Sequence, residues 1–183
     1  VVRDWIYVVS RGDRRVYAFD TAGVLKRTIE LGSKLTAPEG LAYRGDIAGG
    51  ATPPYAAFAI ADPVTNQIAG ARDGSPTVAT RVGNLTGVRS AAPWTDQTSQ
   101  YWVAALAGRG LAVTRASGEE LAAIPFAGAS DVEILPDGRA FAAVAPDGLV
   151  GVPDLGFLLA QATDTFGRLL GPKRIAAGDA VAI

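Results

Sequence analysis

Short runs of β-branched, aromatic and alanine residues alternate with polar or glycine-containing turns along the whole chain. The first two runs, residues 5–9 and 15–20, are separated by a polar turn at residues 11–14, and the second alternates two faces, with Val16 and Ala18 on one side. A period of two residues is typical of strands that bury one face. The pattern therefore predicts an antiparallel hairpin at residues 5–20 and an all-β fold class.

Glycines divide these runs at regular intervals. Four of them lie between two strand-like runs, and each is followed after about one strand length by a second glycine; the pairs are Gly23 and Gly32, Gly74 and Gly83, Gly118 and Gly128, and Gly167 and Gly178. Repeats of about 40 to 50 residues with four strands each are typical of propeller blades. We therefore expect one domain over residues 1–183, made of four such repeats.

The same pattern predicts the outer strands of each repeat. These are residues 24–31 in the first; 55–61, 67–72 and 76–82 in the second; 100–106, 110–115 and 120–126 in the third; and 139–145, 157–163 and 168–175 in the fourth. Residues 155–170 have an alternative as a short amphipathic helix, because Leu158, Leu159 and Ala162 would share one helical face.

A further short strand completes each repeat, and these four segments are the predicted inner strands. They are residues 40–43, 87–90, 131–134 and 180–183. The last one is expected to pair with the N-terminal strands, since closing a ring in this way leaves no long free sheet edge. The prediction is a β-propeller of four blades, each with four antiparallel strands, closed by its N- and C-terminal segments; the alternative is a fragment of a larger propeller.

Composition excludes several kinds of chemistry. The chain has no cysteine, histidine or methionine, so disulfides, thiolates, imidazole bases and the usual zinc ligands are absent, and carboxylates, hydroxyls or an oxygen-bound cation remain. The 17 basic and 18 acidic residues give a net charge of −1 without a basic stripe, so nucleic acid is not an expected partner. No continuous apolar run reaches the roughly 20 residues of a transmembrane helix.

The N-terminal repeat resembles the NHL repeat. The resemblance rests on Trp5-Ile6-Tyr7-Val8-Val9-Ser10, on Arg14-Arg15-Val16-Tyr17-Ala18-Phe19-Asp20 with Gly23, and on Ala37-Pro38-Glu39-Gly40-Leu41-Ala42. It covers about one repeat, residues 5–43, and is weak elsewhere. The resemblance implies a propeller similar to those of the gluconolactonase-like group, which more often have six blades, and it implies a fold more than an activity.

Carboxylates near the starts of the inner strands form the candidate metal site. Glu39, Asp131 and Asp179 are expected at one mouth of a central channel, where their oxygens could hold Ca²⁺. The resemblance to lactonase-like propellers implies a metal held by Glu, Asn and Asp, for which Glu39, Asn84 and Asp131 are the matching positions. A metal-dependent lactonase-like hydrolase is therefore the alternative function. The alternative for the side chains themselves is capping of the strands or binding of channel water.

Two loops, residues 45–54 and 91–99, lie at equivalent positions in two repeats. We expect them to form a recognition face. Trp94 is the expected interface anchor, because it follows Pro93 in a polar segment without an obvious strand to pack on. Pro54 and Tyr55 lie at the end of the other loop. The favoured function is a non-enzymatic binding or assembly module without a required cofactor, whose partner is a protein in a larger assembly or a glycan.

Overall fold

The computed structural model describes residues 4–47, 55–73, 75–95, 99–135, 137–146, 148–152, 154–162, 173–174 and 181–182. Within these residues the protein is all-β apart from one short helix, and its strands form four separate sheets. Neighbouring strands are antiparallel, except for one short parallel pair in the third sheet, and most of them follow one another along the chain. The all-β fold class predicted from the sequence is confirmed.

The first sheet contains the predicted hairpin. Its strands are β1 (Trp5–Ser10), β2 (Arg15–Asp20) and β3 (Leu25–Glu30), hydrogen-bonded in that order. Gly23 occupies the turn between β2 and β3 with φ of +79°, a conformation that a residue with a Cβ rarely adopts. The carboxylate of Asp20 completes this turn by accepting the N–H groups of Ala22 and Val24 at 3.0 and 2.8 Å.

The second sheet is a four-stranded antiparallel meander, and the third contains such a meander with a short fifth strand at its edge. The second has β4 (Leu41–Ile47), β5 (Tyr55–Asp62), β6 (Gln67–Arg72) and β7 (Ser75–Val82). The third has β8 (Val88–Thr95), β9 (Gln100–Leu106), β10 (Gly110–Arg115) and β11 (Glu120–Ile124). The alternation of apolar and polar residues therefore located both meanders, although β4 and β8 extend beyond the short segments predicted for them.

The fourth sheet departs from the prediction after its first two strands. It begins with β12 (Ala129–Ile134), β13 (Ala140–Val144) and β14 (Gly148–Val152), and the chain then forms helix α1 (Leu155–Ala162). The strand predicted at residues 157–163 is wrong over residues 157–162, and the helical alternative is confirmed over residues 155–162. Asp154 caps the helix by accepting the N–H of Phe157 at 3.0 Å, and α1 packs against β11 with Leu155 and Leu158 buried.

The closing strands also lie elsewhere than predicted. β16 (Val181–Ala182) pairs with β14, so the expected pairing of residues 180–183 with the N-terminal strands is wrong. Because residues 157–162 are helical, the outer edge of β14 is left for β16 to occupy. β15 (Lys173–Arg174), expected in the fourth repeat, instead runs parallel to β11 at the edge of the third sheet.

Two apolar clusters hold the sheets together. One lies between the first two sheets and contains Val16, Ile29 and Phe58; the other joins the second, third and fourth sheets and is rich in alanine. Small side chains let the sheets approach closely, and Gly40 is one example, since a Cβ there would lie 2.7 Å from the Cα of Ser90 in the third sheet. No helix among the described residues has the length and apolarity to cross a membrane.

Candidate functional site

Glu39 lies just before β4 and connects three sheets. Its carboxylate accepts from the guanidinium of Arg11, in the first sheet's β1–β2 turn, at 2.5 Å, and from that of Arg89, on β8 of the third sheet, at 3.0 Å. The two arginines use different oxygens, Oε1 and Oε2. Any cation at Glu39 would have to compete with both of these partners.

Of the other predicted metal ligands, the structure describes Asp131 and Asn84 but not Asp179. Asp131 lies on β12, exposed, with one carboxylate oxygen 2.9 Å from the N–H of Val132, and Asp179 lies outside the described residues. Asn84 lies between β7 and β8 in a left-handed conformation, with φ of +62°. In the part of the chain that the structure describes, no three acidic side chains are grouped to hold a metal. The Ca²⁺ site with Asp179, and the hydrolase built on it, stay predictions.

Trp94 does not lie in a loop. It belongs to β8, opposite Tyr101 of β9, and the two rings stack with centroids 5.4 Å apart. The loop assignment is wrong because Pro93, which suggested a break, lies on an edge strand, where a missing N–H is tolerated. Tyr55 begins β5, but its side chain and Pro54 lie outside the described residues.

A cavity of about 400 Å³ lies where all four sheets meet. Three of its walls come from the first strands of the second, third and fourth sheets, namely β4, β8 and β12, and the fourth comes from β1 together with Phe58 of β5. The residues that line it are Tyr7, Leu41, Ala42, Tyr43, Phe58, Ala92, Pro93, Glu133 and Ile134. Of the predicted partner-binding residues, Pro93 is therefore part of this wall.

Aromatic rings form one side of the cavity. Phe58 is buried, and its centroid lies 4.7 Å from that of Tyr7 and 6.3 Å from that of Tyr43. These separations are within the range in which aromatic pairs attract each other. Tyr43 remains 39% exposed, so part of its ring faces space that a ligand can occupy.

Glu133 supplies the acidic group of the cavity lining. Although Glu133 as a residue is exposed, partial desolvation of its carboxyl raises the pKa of that group, and the neighbouring Asp131 carboxylate on the same strand raises the pKa further. Both effects disfavour the ionised form. A ligand that donates hydrogen bonds to the Glu133 carboxylate would therefore offset the free-energy cost of its ionisation.

Sequence reasoning missed Tyr7, Tyr43, Phe58 and Glu133 as cavity residues. Two of them carried a usable signal, since Tyr43 and Glu133 lie on the predicted inner strands at 40–43 and 131–134. Tyr7 and Phe58 lie on other strands, and their position depends on how the first two sheets pack together.

Comparison with known proteins informs the fold alone. No protein-family model and no curated protein matches the chain. Among solved structures, 33 chains match, including the crystal structure of the computationally designed Ika8 protein, with 13% identity and a TM-score of 0.52. That match covers 93% of this chain and 46% of the designed protein, so the chain spans less than half of its length.

Proposed function

We propose that the four sheets are successive blades of a β-propeller and that the protein is a non-enzymatic binding module. The order of the sheets supports this, because each one is built on a meander of three or four consecutive strands and each packs against the next in the chain. The place of the first strands supports it as well. β4, β8 and β12 all contribute to one cavity, as the inner strands of blades would around an axis.

The observation that carries the binding function is the composition of this cavity. Its volume of about 400 Å³ falls within the range of small-ligand pockets, and its lining combines aromatic side chains with a surface that is more polar than apolar. A saccharide matches both parts. The apolar face of a sugar ring stacks on an aromatic side chain such as Tyr43, while its hydroxyls donate to a carboxylate such as Glu133. We therefore propose a glycan as the ligand.

A protein partner bound through Trp94 has less support than a glycan. The proposed anchor was expected to be free of any strand, whereas its ring stacks on Tyr101 and packs against the larger apolar cluster. Its removal would alter packing within the third sheet as well as any interface.

Titration calorimetry against a panel of neutral mono- and oligosaccharides tests the proposal. We expect Tyr43→Ala and Glu133→Gln each to weaken binding about tenfold, the equivalent of one lost contact of about 1.4 kcal/mol. Phe157→Ala is the matched control, since Phe157 is 61% exposed on α1 and does not line the cavity. Absence of saccharide binding at millimolar concentration, or equal binding by all three variants, would overturn the glycan proposal.

A further inference from the structure

Three arginines of the second sheet come together outside the cavity. Arg44 lies on β4, Arg72 on β6 and Arg81 on β7. Arg44 and Arg81 are each the extra residue of a β-bulge, because Tyr43 and Gly45 pair with consecutive residues of β5, and Thr80 and Val82 pair with consecutive residues of β6. A bulge redirects the side chain that it carries, and such bulges are common next to binding sites.

The sequence makes room for two of these guanidinium groups. That of Arg44 lies over Trp102 of the third sheet, 5.1 Å from the ring centroid, and Trp102 is itself buried. That of Arg81 lies over Gly70 of β6. A Cβ at residue 70 would lie 3.2 Å from the Arg81 Cζ and closer still to its Nε, so only glycine leaves this space open.

The positive charge of this cluster is not neutralised by the side chains that the structure describes. The Nε atoms of Arg44 and Arg81 are buried without a hydrogen-bond acceptor, and Asp73, which follows Arg72 in the chain, pairs with Arg27 instead. Burial lowers the pKa of Arg44, and Arg81 and then Arg72 lower it further by repulsion. Buried cationic groups are normally paired, so an arrangement of this kind calls for an anion.

We propose that Arg44, Arg72 and Arg81 form a binding site for an oxyanion, that is, a phosphate, sulfate or carboxylate group of a small ligand. Guanidinium groups present several N–H donors in a plane and bind two oxygens of such groups at once. The two unpaired Nε–H groups supply donors, and Arg72, which is exposed, leaves the cluster open to solvent. This site is separate from the glycan cavity and does not depend on it.

The experiment is an NMR titration of the ¹⁵N-labelled protein with inorganic phosphate, sulfate and acetate at constant ionic strength, with chloride as the reference ion. We expect the Arg44 and Arg81 Nε–H signals to shift with phosphate and sulfate in a saturable manner. Acetate separates carboxylate recognition from recognition of a tetrahedral group. Each anion is raised to about 50 mM, because a dissociation constant above this value is too weak to be useful. If these signals respond to none of the three anions over this range, the proposal is wrong.

Variants distinguish a built site from general attraction by positive charge. The double variant Arg44→Gln, Arg81→Gln is expected to weaken anion binding more than tenfold, whereas Arg109→Gln, which removes one charge from the turn between β9 and β10, where Arg109 pairs with Glu120, is expected to leave it within twofold. Gly70→Ala changes no charge but displaces the Arg81 guanidinium, and we expect it to weaken binding severalfold. Gly83→Ala is its control, since a Cβ at residue 83 meets no atom within 4 Å. Equal losses in the double variant and Arg109→Gln would overturn the site.

Discussion

The backbone N–H of Thr36 donates a hydrogen bond of 2.5 Å to the carboxylate of Asp62, which lies 26 residues away at the end of β5. The same carboxylate accepts the N–H groups of Ala37, Val64 and Thr65 at 3.2, 3.0 and 3.2 Å. Asp62 is completely buried. One side chain thus fixes the segment before β4, which carries Glu39, against the turn between β5 and β6.

Asp62→Asn is expected to destabilise the protein by about 2 to 4 kcal/mol. The amide has only one oxygen, so two or more buried N–H groups would face a donor or remain unsatisfied, at about 1 to 3 kcal/mol each. Urea unfolding measures the change. Asp20→Asn is the control, because Asp20 also accepts two backbone N–H groups but is not buried, and its effect should be much smaller. Equal effects of the two substitutions would contradict the role given to Asp62.

Stability should fall in acid because of the same group. Burial tends to raise the pKa of Asp62, but its four backbone hydrogen bonds together lower that pKa below the ordinary value. Between the two pKa values, the folded state therefore binds fewer protons than the unfolded state. The stabilisation is fully present above the unfolded-state pKa of about 4, and it is lost as the pH falls through the folded-state pKa. Urea midpoints should be measured from about pH 6 to about pH 2.5, a range that spans both pKa values. Over this range the midpoint should fall less steeply for Asp62→Asn than for the unsubstituted protein. A slope unchanged by the substitution would assign the acid sensitivity to other carboxylates.

Gly40→Ala should force the second and third sheets apart. The added methyl group would lie 2.7 Å from the Cα and Cβ of Ser90, where the N–H of Gly40 also donates to the carbonyl of Arg89 at 3.1 Å. Overpacking of this kind costs about 1 to 3 kcal/mol in the free energy of unfolding. Gly83→Ala, which meets no neighbouring atom, should be neutral or slightly stabilising. Thermal unfolding of the pair provides the test, and equal midpoints would show that the sheets adjust without cost.

Asp73→Asn should loosen the first sheet from the second. Asp73 is 4% exposed and accepts from Arg27 of β3 at 2.5 Å, and the Arg27 guanidinium also lies 4.7 Å from the centroid of Trp5. Loss of the buried carboxylate leaves a poorly solvated cation, which we expect to cost about 2 to 3 kcal/mol. Hydrogen exchange should quicken in β1 to β3 more than in the third sheet.

The exposed pair of Asp137 and Arg139 is the control for that substitution. Both side chains are about half exposed, so Asp137→Asn should change stability far less. Faster exchange in all four sheets after Asp73→Asn would mean that the ion pair supports the whole molecule rather than one junction.

Local alternation and turn glycines were sufficient to predict much of the fold. β2, β6 and β10 begin and end where the pattern placed them, because each is a half-buried or buried strand next to a tight turn. Residues 157–162 satisfied both a strand and a helix pattern, and the choice was made by the cap at Asp154 and by packing against β11. Such tertiary contacts are not visible in the local sequence.

The candidate sites were less predictable than the strands. The cavity depends on which strands of four sheets meet, and Tyr7 and Phe58 become neighbours only when the first two sheets pack. The arginine cluster depends on two bulges, which shift the pairing register by one residue and cannot be located from the alternation pattern alone.

The order of strands within the sheets has a consequence for how the chain folds. Apart from β15 and β16, every strand pairs with one that is adjacent in sequence, so each sheet can form by closing short loops at a small entropic cost. Docking of the preformed sheets then becomes the demanding step. The alanine-lined contacts and the backbone approach at Gly40 contribute little stabilisation until the surfaces fit closely. Folding of this protein is thus local within each sheet and collective between the sheets.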